Sequence, residues 1–269
     1  MGYGDQIMAV GLAEALYRSD PSAGPVMICD CAGAPRDQPL WHGNPAIGVR
    51  VGGPTRTIRC GGGCLPYLQY PYSSETGLRF SSTYRAADYR GHIYLTQAEL
   101  ERGHVARAQH GDFVLLEPTP SDRKNPNRCW PRASWQALAV QLKEAGLPVV
   151  QFHHADSDRL VGVPCVDSPT FRDACGIMTG ARLLVVLEGG LAFAAAALSV
   201  PTVVLWGGCI SAPVLSYPEQ VNLVDPSPET PCGSFKTCHH CAAAWARLTP
   251  ERVSEAIQHT LQGVPHGVS

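Results

Sequence analysis

Apolar residues along the second half of the chain gather in short unbroken runs, separated by polar or glycine-rich segments. Leu183 to Leu187 is one such run, entirely aliphatic, the pattern of a strand buried on both faces of a parallel sheet. Gly189 and Gly190 break it. The alanine-rich stretch Leu191 to Leu198 then suits a closely packed helix, and Thr202 to Trp206 forms a second apolar run closed by Gly207 and Gly208. Strand, glycine turn, helix and strand make one βαβ unit. Phe113 to Leu116 and Pro148 to Phe152 have the same strand character, and Val163 to Val166 and Asn222 to Val224 are shorter candidates. Ala133 to Ala145 predicts an amphipathic helix through Trp135, Leu138 and Leu142 that stops at Gly146, and Phe171 to Thr179 predicts another. A last helix opens at Thr249-Pro250, with Val253, Ile257 and Leu261 recurring every four residues. The β-α-β-α alternation from 112 to 206 argues for a parallel sheet covered by helices.

The first half is less regular. Gly2 and Gly4 bracket a turn, and Asp5 stands at the start of a helix whose apolar side is Ile7, Met8, Val10, Leu12, Ala15 and Leu16. A glycine turn opening a helix ordinarily follows a strand, yet here the sequence begins at the turn. The expectation is that the first strand is missing from this sequence or that the sheet does without it. Pro25 to Cys29, Thr55 to Arg59 and Ile93 to Leu95 are strand candidates, and Gln97 to Ala108 is a helix candidate. Residues 61–90 are rich in Gly, Tyr, Pro and Ser, with Arg79, Arg85 and Arg90 interspersed. Such a loop suits sugar or phosphate recognition, or is an ordinary solvated surface.

A length of 269 residues allows one large or two medium α/β domains, and 45% hydrophobic against 16% charged residues allows a substantial core. A net charge of −2 carries no global basic field, which weighs against nucleic acid as a partner. No apolar run is long enough to span a bilayer and the N-terminus lacks the plan of a signal peptide, so a cytoplasmic location is expected. The eleven cysteines are scattered rather than framework-like, so most are expected to be buried thiols. Their one dense group, Cys232, Cys238 and Cys241 with His239 and His240, has spacing that could supply four ligands to a structural zinc. A loop of reduced thiols is the alternative reading. His153 and His154 follow a strand candidate and could face a cleft or simply the solvent.

The chemistry centres on the turn at 188–191. A glycine pair at the carboxyl end of a strand lets a ligand approach the backbone, and the following helix points unpaired N–H groups and a positive dipole end at the same place. A phosphate or diphosphate fits there, although a tight turn alone also accounts for the glycines. The G-x-G-x-x-G spacing of dinucleotide-binding oxidoreductases is absent.

Three segments in order resemble one family. GYGDQIMAVGLAEAL at the start, RCWPRASWQAL at 128–138 and LEGGLAFAAAALSVPTVVLWGG at 187–208 are similar to the glycine-Asp opening, the basic-x-Trp-Pro loop and the acidic-small-Gly turn of glycosyltransferase family 9, the heptosyltransferase-like enzymes. PCGSFKTCHHC at 231–241 is similar to a cysteine-containing loop that many members carry. The resemblance implies a GT-B architecture of two Rossmann-like domains with parallel sheets facing a cleft. Residues 1–108 would be a reduced acceptor-side domain and residues 109–269 the nucleotide-sugar donor domain. It implies an inverting, metal-independent transfer with no required cofactor, from a nucleotide sugar to a hydroxyl on a glycan or other acceptor. The family default is heptose to lipopolysaccharide core. Asp5 matches the family's general base, which also fits the chemistry of deprotonating an acceptor hydroxyl, though helix capping fits it too. Arg128 matches a residue that contacts donor phosphates, with Lys124 and Arg123 as further candidates, and Glu188, Gly189, Gly190 and Leu191 fall on the donor turn. Where members usually carry a His after the glycines, this chain has Ala192-Phe193, so that phosphate contact is absent or replaced. Two alternatives accompany this reading. One is transfer to hydroxylated DNA bases, using a basic face of Arg79, Arg85, Arg90 and Arg123; the other is a nucleotide-sugar-binding relative without catalysis.

Overall fold

The computed structural model describes residues 2–60, 86–119, 125–210, 212–225, 231–234 and 236–263, with the backbone of four two-residue strands between 68 and 82. The chain opens with α1 (Tyr3–Ser19), followed by β1 (Val26–Cys29) and β2 (Arg56–Arg59), which pair in parallel. Gly2 is the N-cap of α1, and Gly4 lies inside the helix rather than in a turn; a Cβ there would meet the Phe193 ring at an ordinary 3.6 Å. Arg56 fastens the far end of α1 to the sheet by donating to the Leu16 carbonyl at 2.7 Å and to the Asp20 and Gly24 carbonyls at 2.9 Å. The carbonyls at a helix C-terminus lack intrahelical partners, and a guanidinium satisfies several at once. Strands β3 (Leu68–Gln69), β4 (Tyr72–Ser73), β5 (Gly77–Leu78) and β6 (Ser81–Ser82) form two small antiparallel pairs, β3 with β6 and β4 with β5.

Helix α2 (Gln97–His110) begins at a capping box between Thr96 and Glu99. The expected strand at 93–95 is instead irregular, because the Tyr94 carbonyl accepts from Arg172 at 2.8 Å and so leaves the sheet ladder. Six parallel strands follow: β7 (Val114–Glu117), β8 (Val149–His153), β9 (Cys165–Asp167), β10 (Leu183–Leu187), β11 (Thr202–Leu205) and β12 (Val221–Leu223). Their order in the sheet is β12-β11-β10-β7-β8-β9. Helices α3 (Arg132–Glu144), α4 (Phe171–Met178), α5 (Gly190–Ala197), α6 (Ala212–Leu215), α7 (His239–Arg247) and α8 (Pro250–Leu261) complete the chain.

The continuous apolar strands divide their side chains strictly between two cores. Phe113, Leu115, Val150, Phe152, Leu184, Val186 and Val204 enter one, and Val114, Leu116, Val149, Leu183, Val185, Leu187, Val203 and Leu205 enter the other. That alternation is the period of two of a strand buried on both faces. The first core also takes Ile7, Met8, Val10 and Ala13 from α1, Val26 and Ile28 from β1, and the alanines of α5, so residues from both ends of the chain share one apolar interior. The second is roofed by Trp135, Leu138 and Leu142 of α3 and Val253 and Ile257 of α8.

Close helix contact is set by glycines. Where α4 and the turn after it cross α2, a Cβ at Gly176 would lie 2.1 Å from the Glu99 carbonyl oxygen, and one at Gly180 only 2.0 Å from that of Gly103. Arg172 of α4 then binds Glu99 of α2 through a two-pronged ion pair and also donates to the Pro39 carbonyl at 2.7 Å. Hydrogen bonds from Arg172, first among the causes, hold the Glu99 carboxyl at about 2. Arg90 joins the N-terminal and C-terminal parts, donating to Ser199 Oγ at 2.6 Å and pairing with Glu219 at 2.9 Å. Arg90 is therefore committed to an internal clasp rather than to a basic nucleic-acid face; Arg79, Arg85 and Arg123, the other members expected for that face, lie outside the described residues. Nine of the described cysteines are free thiols, six of them buried, whereas Cys31 is in a disulfide. Among the described residues no helix is long and apolar enough to cross a membrane.

Candidate functional site

In an open parallel sheet, ligands bind outside the carboxyl ends of the strands where the strand order reverses. Here the chain runs outward from β7 through β8 to β9, then restarts on the other side of β7 with β10, β11 and β12. The reversal lies between β7 and β10, so the crevice is bordered by Glu117 to Thr119 and by Glu188 to Gly190. The glycine turn singled out in the sequence sits at this position. Gly189 has φ 148 and ψ −162, a backbone conformation that a side chain would strain, and it is the N-cap of α5.

Glu188 is buried and accepts two hydrogen bonds from Arg128, at 2.5 Å from Nε and 2.7 Å from Nη2. This fork brings together two residues sixty positions apart, both expected at the site. Arg128 ends a single turn of 3-10 helix, Pro126–Arg128, whose N-cap is Asn125. Trp130, two residues on, donates to the Leu248 carbonyl at 2.8 Å and packs edge-on against Trp135, so the Trp-Pro pair anchors the loop that carries Arg128. Lys124 lies outside the described residues.

The start of α1 meets the start of α5. A Cβ on Gly4 would be 3.9 Å from Gly190 Cα, and one on Gly190 would be 2.8 Å from Tyr3 Cβ. Two helix N-termini thus converge beside the Arg128–Glu188 pair, and the positive ends of their dipoles reinforce one another. Asp5, half-buried, accepts the Gly2 N–H at 3.1 Å and so caps its own helix. Tyr3 stacks on Phe171 with ring centroids 3.8 Å apart, covering one side of Gly190, while Gly189, Gly190 and Leu191 keep intermediate exposure. Where a His was expected after the glycines, Phe193 packs against Gly4 and edge-on to Tyr217, an apolar contact between α1 and α5.

Across the crevice Glu117 is buried, accepts the Thr119 N–H at 2.7 Å and lies 3.4 Å from His154 Nε2. His153 pairs with Asp167 at 2.6 Å on the exposed side. The strand expected at Phe113 to Leu116 stopped one residue short of Glu117; a carboxylate closing an otherwise apolar strand at a reversal point was the signal for it.

Cys232, Cys238 and Cys241 have sulfurs all within 4.8 Å of one another. The fourth neighbour is Cys209 and not His239, which is exposed and lies against His240. Hydrogen bonds from Cys209, then Cys241, pull the Cys232 thiol down, and the same contacts with burial push Cys209 and Cys241 up. Asn127 was also missed. Its side chain donates to the Ser234 and Lys236 carbonyls at 2.8 and 2.7 Å and accepts the Cys238 N–H at 2.9 Å, while its carbonyl accepts Trp245 Nε1 at 3.0 Å. The Asn125-Pro126-Asn127 turn chemistry was its visible trace.

No family model matches the sequence, and no curated protein matches it. Solved structures do. The ADP-heptose lipopolysaccharide heptosyltransferase II of E. coli aligns at 20% identity and a TM-score of 0.47 over 64% of this chain; the chain spans only 54% of that protein's length. The iron-containing dodecameric glycosyltransferase TibC of enterotoxigenic E. coli H10407 aligns at 14% identity and a TM-score of 0.44, covering 56% of this chain and 45% of that one. The glycosyl transferase family 9 structure from Veillonella parvula DSM 2008 aligns at 14% identity and a TM-score of 0.65, over 98% of this chain and 95% of that one. Parallel sheets, helix-covered on both faces and followed along nearly their whole length, give this chain the GT-B-like α/β fold of that family 9 structure.

Proposed function

We propose that the protein is a glycosyltransferase that takes a sugar from a nucleoside-diphosphate donor and transfers it to an acceptor hydroxyl. The observation that carries this reading is the convergence of the α1 and α5 N-termini beside Arg128 and Glu188 at the sheet's reversal point. A diphosphate leaving group gains negative charge as the glycosidic bond breaks. Amide donors at two helix starts and one guanidinium stabilise that charge without an ion at the phosphates. In this reading Arg128 contacts the diphosphate, and Glu188 aims the guanidinium and offers its carboxylate to sugar or ribose hydroxyls. Gly189 and Gly190 let the phosphates approach the backbone. Asp5 takes the acceptor proton as the anomeric carbon is attacked from the opposite side, which inverts it; substrate entry frees the carboxylate from the Gly2 N–H.

The family default, heptose from an adenosine diphosphate carrier, is the first donor to test. A panel of nucleoside diphosphates and their sugars, followed by melting temperature, fixes the base, because a ligand bound only by the folded chain raises it. Turnover is then measured with the stabilising donor. Donor affinity that survives in Asp5→Asn while turnover disappears supports the assignment, and undiminished turnover sinks the role of Asp5. A binding module without catalysis is favoured by one observation, the self-capping of Asp5, and it predicts no turnover in the unaltered chain either.

A further inference from the structure

We infer that Cys209, Cys232, Cys238 and Cys241 form a four-thiolate site for a thiophilic divalent metal, zinc or iron, and that the bound metal braces the loop carrying Arg128. The second half of this inference rests on the donor-site reading above; the first does not.

The four sulfurs come from three separate pieces of chain. Cys209 follows the Gly207-Gly208 turn after β11, Cys232 lies in the segment 231–234, and Cys238 and Cys241 are the N-cap and first turn of α7. Backbone bonds hold the first two pieces side by side, Cys232 N–H to the Gly208 carbonyl and Gly233 N–H to the Cys209 carbonyl, both at 2.9 Å. Cys232 and Cys241 Sγ are 3.1 Å apart, Cys238 is within 4.8 Å of both, and Cys209 hydrogen-bonds Cys232. Sulfurs around a tetrahedral ion at about 2.3 Å sit roughly 3.8 Å from one another, so small shifts of the three clustered sulfurs, with Cys209 closing in from its contact with Cys232, convert this group into a coordination shell. All four are free thiols, and Cys209, Cys232 and Cys241 are buried.

Donors already point at the sulfurs, as they do around metal-bound thiolates. Ser234 N–H donates to Cys232 Sγ at 3.4 Å and Asn125 Nδ2 to Cys209 Sγ at 3.8 Å. In the thiol form Cys209 donates to the Ser234 carbonyl at 3.4 Å; metal binding replaces that bond and releases the thiol protons to solvent, up to four per ion. Ligands limited to sulfur select zinc or iron over magnesium or calcium, and a closed shell has no position for a substrate. Its work is therefore mechanical. The loop it closes is bonded through Asn127 and Asn125 to the turn that ends in Arg128, so fixing the thiolates fixes the guanidinium's platform.

The test is elemental analysis of the full chain purified without chelator, read for zinc and iron separately. About one ion per chain is expected, falling below about a tenth in Cys209→Ser and unchanged in His239→Ala. Reduced, metal-stripped chain titrated with Co2+ supplies a second readout, independent of how well the variant folds: a four-thiolate shell gives intense tetrahedral ligand-field absorption at one equivalent. Metal-free preparations that take up no cobalt, or a His239→Ala chain that loses its metal while Cys209→Ser keeps it, overturn the site. For the brace, stripping the metal is expected to weaken nucleoside-diphosphate binding at least tenfold, with recovery on adding back the ion found. Unchanged nucleotide affinity in stripped chain overturns the brace, whereas a metal-loaded chain that binds no nucleotide overturns the donor-site reading and leaves the metal site standing.

Discussion

Glu188 and Arg128 hold each other at the mouth of the sheet, and neither geometry survives without the other. Replacing Arg128 by Ala removes charge-assisted bonds worth about 1.5–3 kcal/mol and strands a buried carboxylate. Calorimetric titration with the preferred nucleoside diphosphate is expected to show roughly 10- to 100-fold weaker binding. Gly207 makes a different demand. A Cβ there would fall 1.9 Å from the Trp245 ring, which itself donates to Asn127, so Gly207→Ala is expected to lower the melting temperature by an overpacking cost of about 3 kcal/mol. A melting temperature within a degree of the unaltered chain would contradict that packing. The Gly189-Gly190 turn and Arg128 were legible in the sequence because each belongs to a local pattern. Asn127 and Cys209 were not, since what defines them is a partner elsewhere in the chain, Lys236 for Asn127 at a separation of 109 and Ser234 for Cys209 at a separation of 25.

The helices α2 and α4 touch backbone to backbone, which makes their pairing sensitive to single atoms. Gly180→Ala drives a methyl to 2.0 Å from the Gly103 carbonyl oxygen and is expected to shift the denaturant midpoint downward with little change in slope. The same pair carries the Glu99–Arg172 bridge. The Glu99 carboxyl moves from an ordinary 4.5 to about 2 on folding, so its stabilisation is complete above the unfolded value and is lost as pH falls toward 2. Glu99→Gln should therefore cost on the order of 2 kcal/mol at neutral pH, and the gap between variant and parent should close on acidification to about pH 2, as denaturant titrations at stepped pH can follow. Strand and helix positions in the second half were readable from period alone, with ends that moved by a residue or two. The strand expected at Ile93 to Leu95 failed because an arginine from a distant helix took its carbonyl. Helix α7 escaped notice because His239, His240 and Cys241 were read as ligands, although the following alanines favour a helix.

At the scale of the molecule, the sequence suggested a division near residue 108, and composition could not reveal how the parts are joined. Side chains from α1 and β1 enter the same interior as β7, β10 and α5, and Arg90 clasps Ser199 and Glu219 across the junction. Ser199 itself has φ 57, a conformation uncommon for a residue with a side chain, and its hydroxyl is the Arg90 acceptor. Arg90→Ala is expected to lower the melting temperature modestly, since the pair is partly exposed, and the difference should shrink in high salt.

The shared interior also bears on how the gene can be handled. A shortened product beginning at 109 would uncover the apolar side of α5 against which α1, with Ile7, Met8 and Val10, now packs, and bare aliphatic surface of that kind promotes aggregation. Expressed alone it should collect in inclusion bodies, and supplying residues 1–108 as a separate polypeptide in the same cell should return it to the supernatant.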